Sequence, residues 1–309
     1  FETLESGIMK RYLKYRTVTI IIASMAFSAA LSARTLDPNK AEDALEISKR
    51  VQCGEADGVP AIYYWSGKVY SRVQGEPDRH LFNGEGMNVR QCVKVTDPKR
   101  GTGYRQVSRE VMFYLDPKTN EVLRTWENPW TDETVDVMQI ANDPVNMRPS
   151  YPYSADGKPY KIEGIHRQGK WLLMPIEIPL FYHNELAGDY QDYVGNKYHA
   201  MEIFDFSILA DEILDTKNPT AYPTVSWVRI SDWMPWMKMR GRQGQMVFNA
   251  MGAKLKKYDE LPKVIKDEIA LNHPEYTAPP PADDARPNET TWTVFKDMID
   301  AERAAKKSD

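Results

Sequence analysis

A chain of 309 residues with 42% hydrophobic and 27% charged side chains has the balance of a folded globular protein, which excludes a disordered or collagen-like chain. Its length suits one large domain or two modest ones, and a formal charge of −4 argues against a nucleic-acid partner, which calls for a basic face. Aromatic content is the unusual component: 17 Tyr, 9 Phe and 8 Trp, an area that has to be buried or put to use.

In chain order, the first feature is a leader. Met9–Arg16 carries Lys10, Arg11, Lys14 and Arg16 and no acidic residue, an apolar stretch runs from Thr17 to Leu31, and Ser32 and Ala33 follow. That is the order of a secretory signal peptide, and the apolar part is shorter than the roughly 20 residues a membrane-spanning helix needs. Residues 1–33 are therefore expected to be an N-terminal extension and a Sec-type signal peptide. The chain would then be periplasmic or secreted, with no stable membrane insertion after cleavage; an uncleaved anchor is the alternative. Losing four basic and two acidic groups leaves a net charge of −6.

Beyond the leader lie the chain's two cysteines, Cys53 and Cys92. In an oxidising compartment an even pair reads as a disulfide. Closing a loop of about forty residues contributes roughly 3–4 kcal/mol in the chain-entropy account. Two separate buried thiols are the alternative, and without a Cys-x-x-Cys no redox motif is indicated.

From Ala61 to Gly252 short segments rich in Tyr, Trp, Val and Ile alternate with turn residues. Candidate strands are 61–65 and 69–73 around a Ser66-Gly67-Lys68 turn, 109–115 and 121–126 around Asp116-Pro117, and then 134–140, 160–166 and 171–180. Further candidates are 198–204, 224–230 and 245–250. Pro175 and Pro179 suit an edge strand or a bulge. About ten strands with turn-length connections predict a mostly β domain over 34–276, antiparallel, either a barrel or a strongly curved sheet, lipocalin-like in outline. Helical patterns are confined to 40–51, 207–214, 258–271 and the C-terminus. Residues 277–290, opening with Thr277-Ala278-Pro279-Pro280-Pro281-Ala282, read as a stiff proline-rich linker. A helix over 291–309 puts Trp292, Phe295 and Ile299 on one face to dock on the body; a frayed tail is the alternative.

Signatures of hydrolases, phosphate loops and dinucleotide sites are missing. His199 and Glu202, three apart, would share a helix face, but on a strand they face opposite ways, so no metal site is expected and no cofactor is implied. Glu177 and Glu202 each sit between apolar neighbours. If their face lines a hollow, burial raises the carboxyl pKa and makes a usable acid or base; otherwise they are solvated glutamates. Arg229, with the same ambiguity, could bind a carboxylate. Trp227 to Met239, with Trp233 and Trp236, offers a large adaptable apolar surface. It reads as ordinary core, as the wall of a pocket for an apolar or aromatic small molecule, or as a membrane-facing or homodimer patch.

Asn83-Gly84-Glu85-Gly86-Met87-Asn88-Val89-Arg90, Trp126-Glu127-Asn128-Pro129-Trp130, Asn142-Asp143-Pro144-Val145-Asn146 and Trp233-Met234-Pro235-Trp236-Met237 together resemble the bacterial DUF1838 family. The likeness spans roughly residues 40–255. It implies an exported or periplasmic bacterial protein and brings neither an activity nor a catalytic residue.

Three functions are open on these residues. The first is a cofactor-independent lyase or isomerase acting on a small hydrophobic or aromatic molecule. In it Glu177 or Glu202 moves a proton, His183 or His199 assists, and Tyr198 and Arg229 stabilise negative charge; Trp227, Trp233 and Trp236 line the pocket. The second is a lipocalin-like carrier with the same pocket. The third is an interaction protein that meets a partner through the Trp–Met stretch.

Overall fold

The computed structural model describes residues 34–190, 197–239 and 241–308; the expected signal segment lies outside the described residues. Helix α1 (Ala41–Gln52) leads into three long strands, β1 (Ala61–Arg72), β2 (His80–Asp97) and β3 (Gly101–Leu115). A small hairpin of β4 (Thr125–Glu127) and β5 (Thr134–Asp136) precedes β6 (Ile140–Asn142). The chain continues through β7 (His166–Gln168), β8 (Trp171–His183), β9 (Lys197–Leu209), the short α2 (Ala210–Leu214), β10 (Thr224–Ser231) and β11 (Gln245–Leu255). Helices α3 (Lys263–Asn272) and α4 (Thr291–Ser308) complete it.

Nine strands form one antiparallel sheet in the order β6-β3-β2-β1-β11-β10-β9-β8-β7, and β4–β5 make a separate pair. The first and last long strands of the chain, β1 and β11, pair at its centre. β6 and β7 end the sheet without pairing to each other, so the closed barrel allowed by the sequence does not form. The sheet is open but strongly curled. Glu110 on β3 and Glu202 on β9 are five strand steps apart, about 24 Å in a flat sheet, yet both line one cavity.

Each end of the curl is filled. At one end α1 lays Ile47 and Val51 against Tyr63, Leu172, Phe206 and Val225. Acidic Glu42 and Asp43 open this helix and basic Lys49 and Arg50 close it, the arrangement its dipole favours. A disulfide between Cys53 and Cys92 ties its end to β2, with a Cα–Cα distance of 5.6 Å. Lys254 of β11 donates to the Arg50 carbonyl at 2.9 Å and to Cys53 O, holding the same helix end. At the other end Phe82, Tyr114, Met234, Trp236, Met237 and Phe248 make the largest cluster, with Trp126 and Trp130 against it. The outer face of β1–β3 is covered by α3, whose Ile265 and Ile269 meet Val89, Val111 and Phe113.

Some local readings change. Ser66-Gly67-Lys68 is not a turn: β1 runs straight through it, and Gly67 pairs with Ala250 on one side and Gly84 on the other. A Cβ at Gly67 would lie 2.1 Å from the Asn249 carbonyl oxygen, so glycine permits the close approach that curvature demands. The longest strand, β2, covers Asn83-Gly84-Glu85-Gly86, a stretch that is not among the candidate strands of the sequence. Of the segment 160–166 only His166 enters a strand.

The proline-rich segment runs back along β2 and β3, where Gln91 donates to the Pro280 carbonyl at 2.5 Å and Arg105 to that of Asp284. Helix α4 then buries Trp292, Phe295 and Ile299 in the large cluster.

Candidate functional site

Between the two filled ends the inner face of the curl leaves a cavity of about 500 Å³. Strand alternation explains its lining. Every second residue points inward: Tyr63 and Trp65 from β1, Asn88 and Arg90 from β2, Glu110 and Met112 from β3. The other side supplies Leu180 and Tyr182 from β8, Tyr198, Glu202, Phe204 and Phe206 from β9, and Val225, Trp227 and Arg229 from β10. Asn142 of β6 and the residues that lead into α4, from Glu289 to Trp292, are also part of the wall. Room for the rings comes partly from glycine. Trp65 lies over Gly86, where a Cβ would sit 2.5 Å from the indole.

Glycine-free clamps hold the α4 side in place. The Asp143 carboxylate meets Arg109 at 3.2 Å and Arg286 at 2.8 Å, and its backbone N–H donates to Glu289 at 3.1 Å. Arg286 also pairs with the buried carboxylate of Asp284 at 2.8 Å. Trp292 then meets Tyr198 edge-on, with ring centroids 4.6 Å apart.

Four sequence-predicted residues come together in this cavity: Tyr198, Glu202, Trp227 and Arg229. Arg229 donates to Glu202 at 3.4 Å and to the Tyr198 hydroxyl. Burial opposes its charge, but Tyr198, Glu202 and Tyr114 outweigh that and raise its pKa. Burial raises the Tyr198 phenol, and raises Tyr182 beside it to about 12.

The remaining candidates lie elsewhere. Glu177 is exposed, because the inward positions of β8 are taken by its apolar neighbours. His183 is exposed at the end of β8, and His199 is exposed on the outer face of β9, its ring edge-on to Phe181. Neither histidine reaches Glu202. Trp233 and Trp236 are buried in the end cluster, where Trp233 donates to the Arg242 carbonyl at 3.1 Å and Trp236 packs on Phe82 and Tyr114. Both rings are therefore core side chains, as one of the readings of this stretch has it. Among the described residues no cluster of His, Cys, Asp and Glu is arranged to hold a metal ion.

Sequence reasoning missed Glu110, Arg90 and Asn142. Asn142 Nδ2 donates to Glu110 Oε1 at 3.0 Å, and no cation among the described residues lies at ion-pair distance from this carboxyl. Burial raises the Glu110 pKa; the Asn142 bond lowers it and the Glu202 charge raises it further. Arg90 donates to Asn88 Oδ1 at 2.7 Å and to Gln52, and lies 4.7 Å over the Tyr63 ring. The signal was present: Glu110 alternates with Met112 and Tyr114 as Glu202 does with Phe204 and Phe206. Raising the pKa of a carboxyl by burial favours its holding a proton, which it can then donate inside an apolar site.

No curated protein and no solved structure is detectably similar to this chain. A family model described as "Protein of unknown function (DUF1838)" matches residues 58–299, a span that takes in every strand from β1 to β11, the clamp around Asp143 and the first half of α4. Every residue that lines the cavity falls in the shared region, and the chain belongs to the DUF1838 family.

Proposed function

We propose that this is an exported protein that binds a small hydrophobic or aromatic molecule inside its curled sheet and catalyses a cofactor-independent proton transfer on it, as a lyase or isomerase does. The observation that carries the reading is Glu110, a buried carboxyl with no cation at ion-pair distance among the described residues, in a cavity walled by aromatic rings. Glu110 delivers or removes the proton, and Tyr198 with Arg229 stabilises oxygen charge as it develops. Glu202, anchored by Arg229, sits across the same cavity as the complementary base. Export is supported by the signal-like leader and by the Cys53–Cys92 disulfide; among the described residues no helix is long and apolar enough to cross a membrane.

Native mass spectrometry of protein purified from its own cell envelope tests the binding half: a retained small molecule, released on denaturation, is expected. Glu110→Gln tests the chemistry. It should abolish turnover of that molecule while changing its affinity by less than about tenfold, or 1.4 kcal/mol. A ligand that is retained but chemically unchanged by the wild type would make the protein a carrier. No retained molecule, and no change in tryptophan fluorescence with any aromatic compound, would overturn both.

A further inference from the structure

The charges and hydrogen bonds of the cavity wall say more about what fits there. Arg90 is a cation whose bonds go to amide oxygens, those of Asn88 and Gln52. Among the described residues no carboxylate meets it at ion-pair distance, and Glu110 acts on it only at longer range. Arg90 is half-buried, and a cation drawn out of water is ordinarily paired with an anion. The carboxylates that line the cavity have other partners: Glu202 takes Arg229, Glu110 takes Asn142, and Glu289 takes the Asp143 backbone amide. Some donors of the lining lack acceptors as well: among the described residues the indole N–H groups of Trp65, Trp227 and Trp292 and the Nε of Arg229 are buried without one, whereas buried polar groups in folded proteins are nearly always satisfied.

We propose that the ligand is an organic anion, an aromatic or alicyclic carboxylate, whose oxygens pair with Arg90 while its apolar body lies among Trp65, Phe204 and Trp227. This rests on the cavity-binding reading above and specifies its head group. A carboxylate brings oxygens that accept from Arg90 and forms the charge-assisted, bidentate pair that a guanidinium favours. An ammonium compound would bring a second cation beside Arg90 and further donors.

Three probes with one apolar body separate the cases: 2-naphthylacetate, 2-naphthaleneethanol and 2-(2-naphthyl)ethylammonium, titrated into the mature protein by calorimetry. The carboxylate is expected to bind at least about tenfold tighter than either other probe. Arg90→Gln should erase that preference and Arg90→Lys should keep part of it. Should Arg90→Gln fail to fold, as circular dichroism would show, the wild-type ranking and Arg90→Lys still decide. Equal or tighter binding of the alcohol or the ammonium compound overturns the anion assignment and leaves the cavity reading standing. A carboxylate preference that survives Arg90→Gln also overturns it. Failure of all three probes to bind overturns both.

Discussion

Glu110 and Glu202, five strands apart along the sheet, face one cavity closely enough for the charge of one to raise the pKa of the other. Only a strongly curled sheet allows this, and it makes the pair a reporter of the curl as well as of the chemistry.

The first prediction concerns pH. Burial raises the folded-state pKa of Glu110 above its ordinary value, so folding retains a proton that the unfolded chain releases first. Stability from this group is intact below about pH 4.5 and declines as pH rises toward the folded pKa, by up to about 1.4 kcal/mol per pH unit. Glu110→Gln removes that decline. The variant should melt above the wild type at pH 7–8 and match it near pH 4; paired thermal melts across this range check it, and a constant difference would refute it.

Gly86→Ala should reshape the cavity. Its methyl group would sit 2.5 Å from the Trp65 indole, and the ring has to give way. Overpacking of this kind costs about 1–3 kcal/mol. Urea unfolding should show that loss together with a shift in tryptophan emission, whereas an unchanged spectrum would mean that Trp65 does not rest on this glycine.

Trp236→Ala should act on stability. Its ring fills the end of the curl against Phe82, Tyr114 and Trp126, and truncating a buried tryptophan costs about 3–5 kcal/mol. Chemical unfolding measures this directly. A loss below about 1 kcal/mol would show that the end is loosely packed.

Arg286→Ala should loosen the clamp at the start of α4 in a pH-dependent way. Arg286 holds the Asp284 carboxyl at about 2, so the pairing stabilises the fold above the ordinary carboxylate pKa and is lost as pH falls toward 2. With half of the arginine exposed to solvent, the effect is about 1 kcal/mol at pH 6. It should shrink toward zero near pH 2, as urea midpoints of the two proteins at both pH values would show.

Much of this was legible in the chain. Alternation along 198–204 and 224–230 put Tyr198, Glu202, Trp227 and Arg229 on one face, and there they lie. Alternation could not say which face of β8 turns inward, because Glu177 is flanked by apolar residues whichever way the strand is rolled. The strand β2 was hidden by Gly84 and Gly86, residues that signal turns in isolation but here make room for Met112 and Trp65. With β2 unread, Asn88 and Arg90 had no strand to belong to. Trp233 and Trp236 show a third limit: a dense apolar run reads alike whether it plugs the end of a curl or lines its hollow, and only the strand register distinguishes the two.

An unclosed sheet ordinarily invites a stranger's strand. Here the terminal strands, β6 and β7, are three residues each, and most of β8 extends past β7 with no strand paired on that side among the described residues. On that long margin Pro175 and Pro179 carry no amide hydrogen, and a docking chain would find gaps where it needs donors. The margin that an open curl leaves is thus blunted along the strand where it is longest.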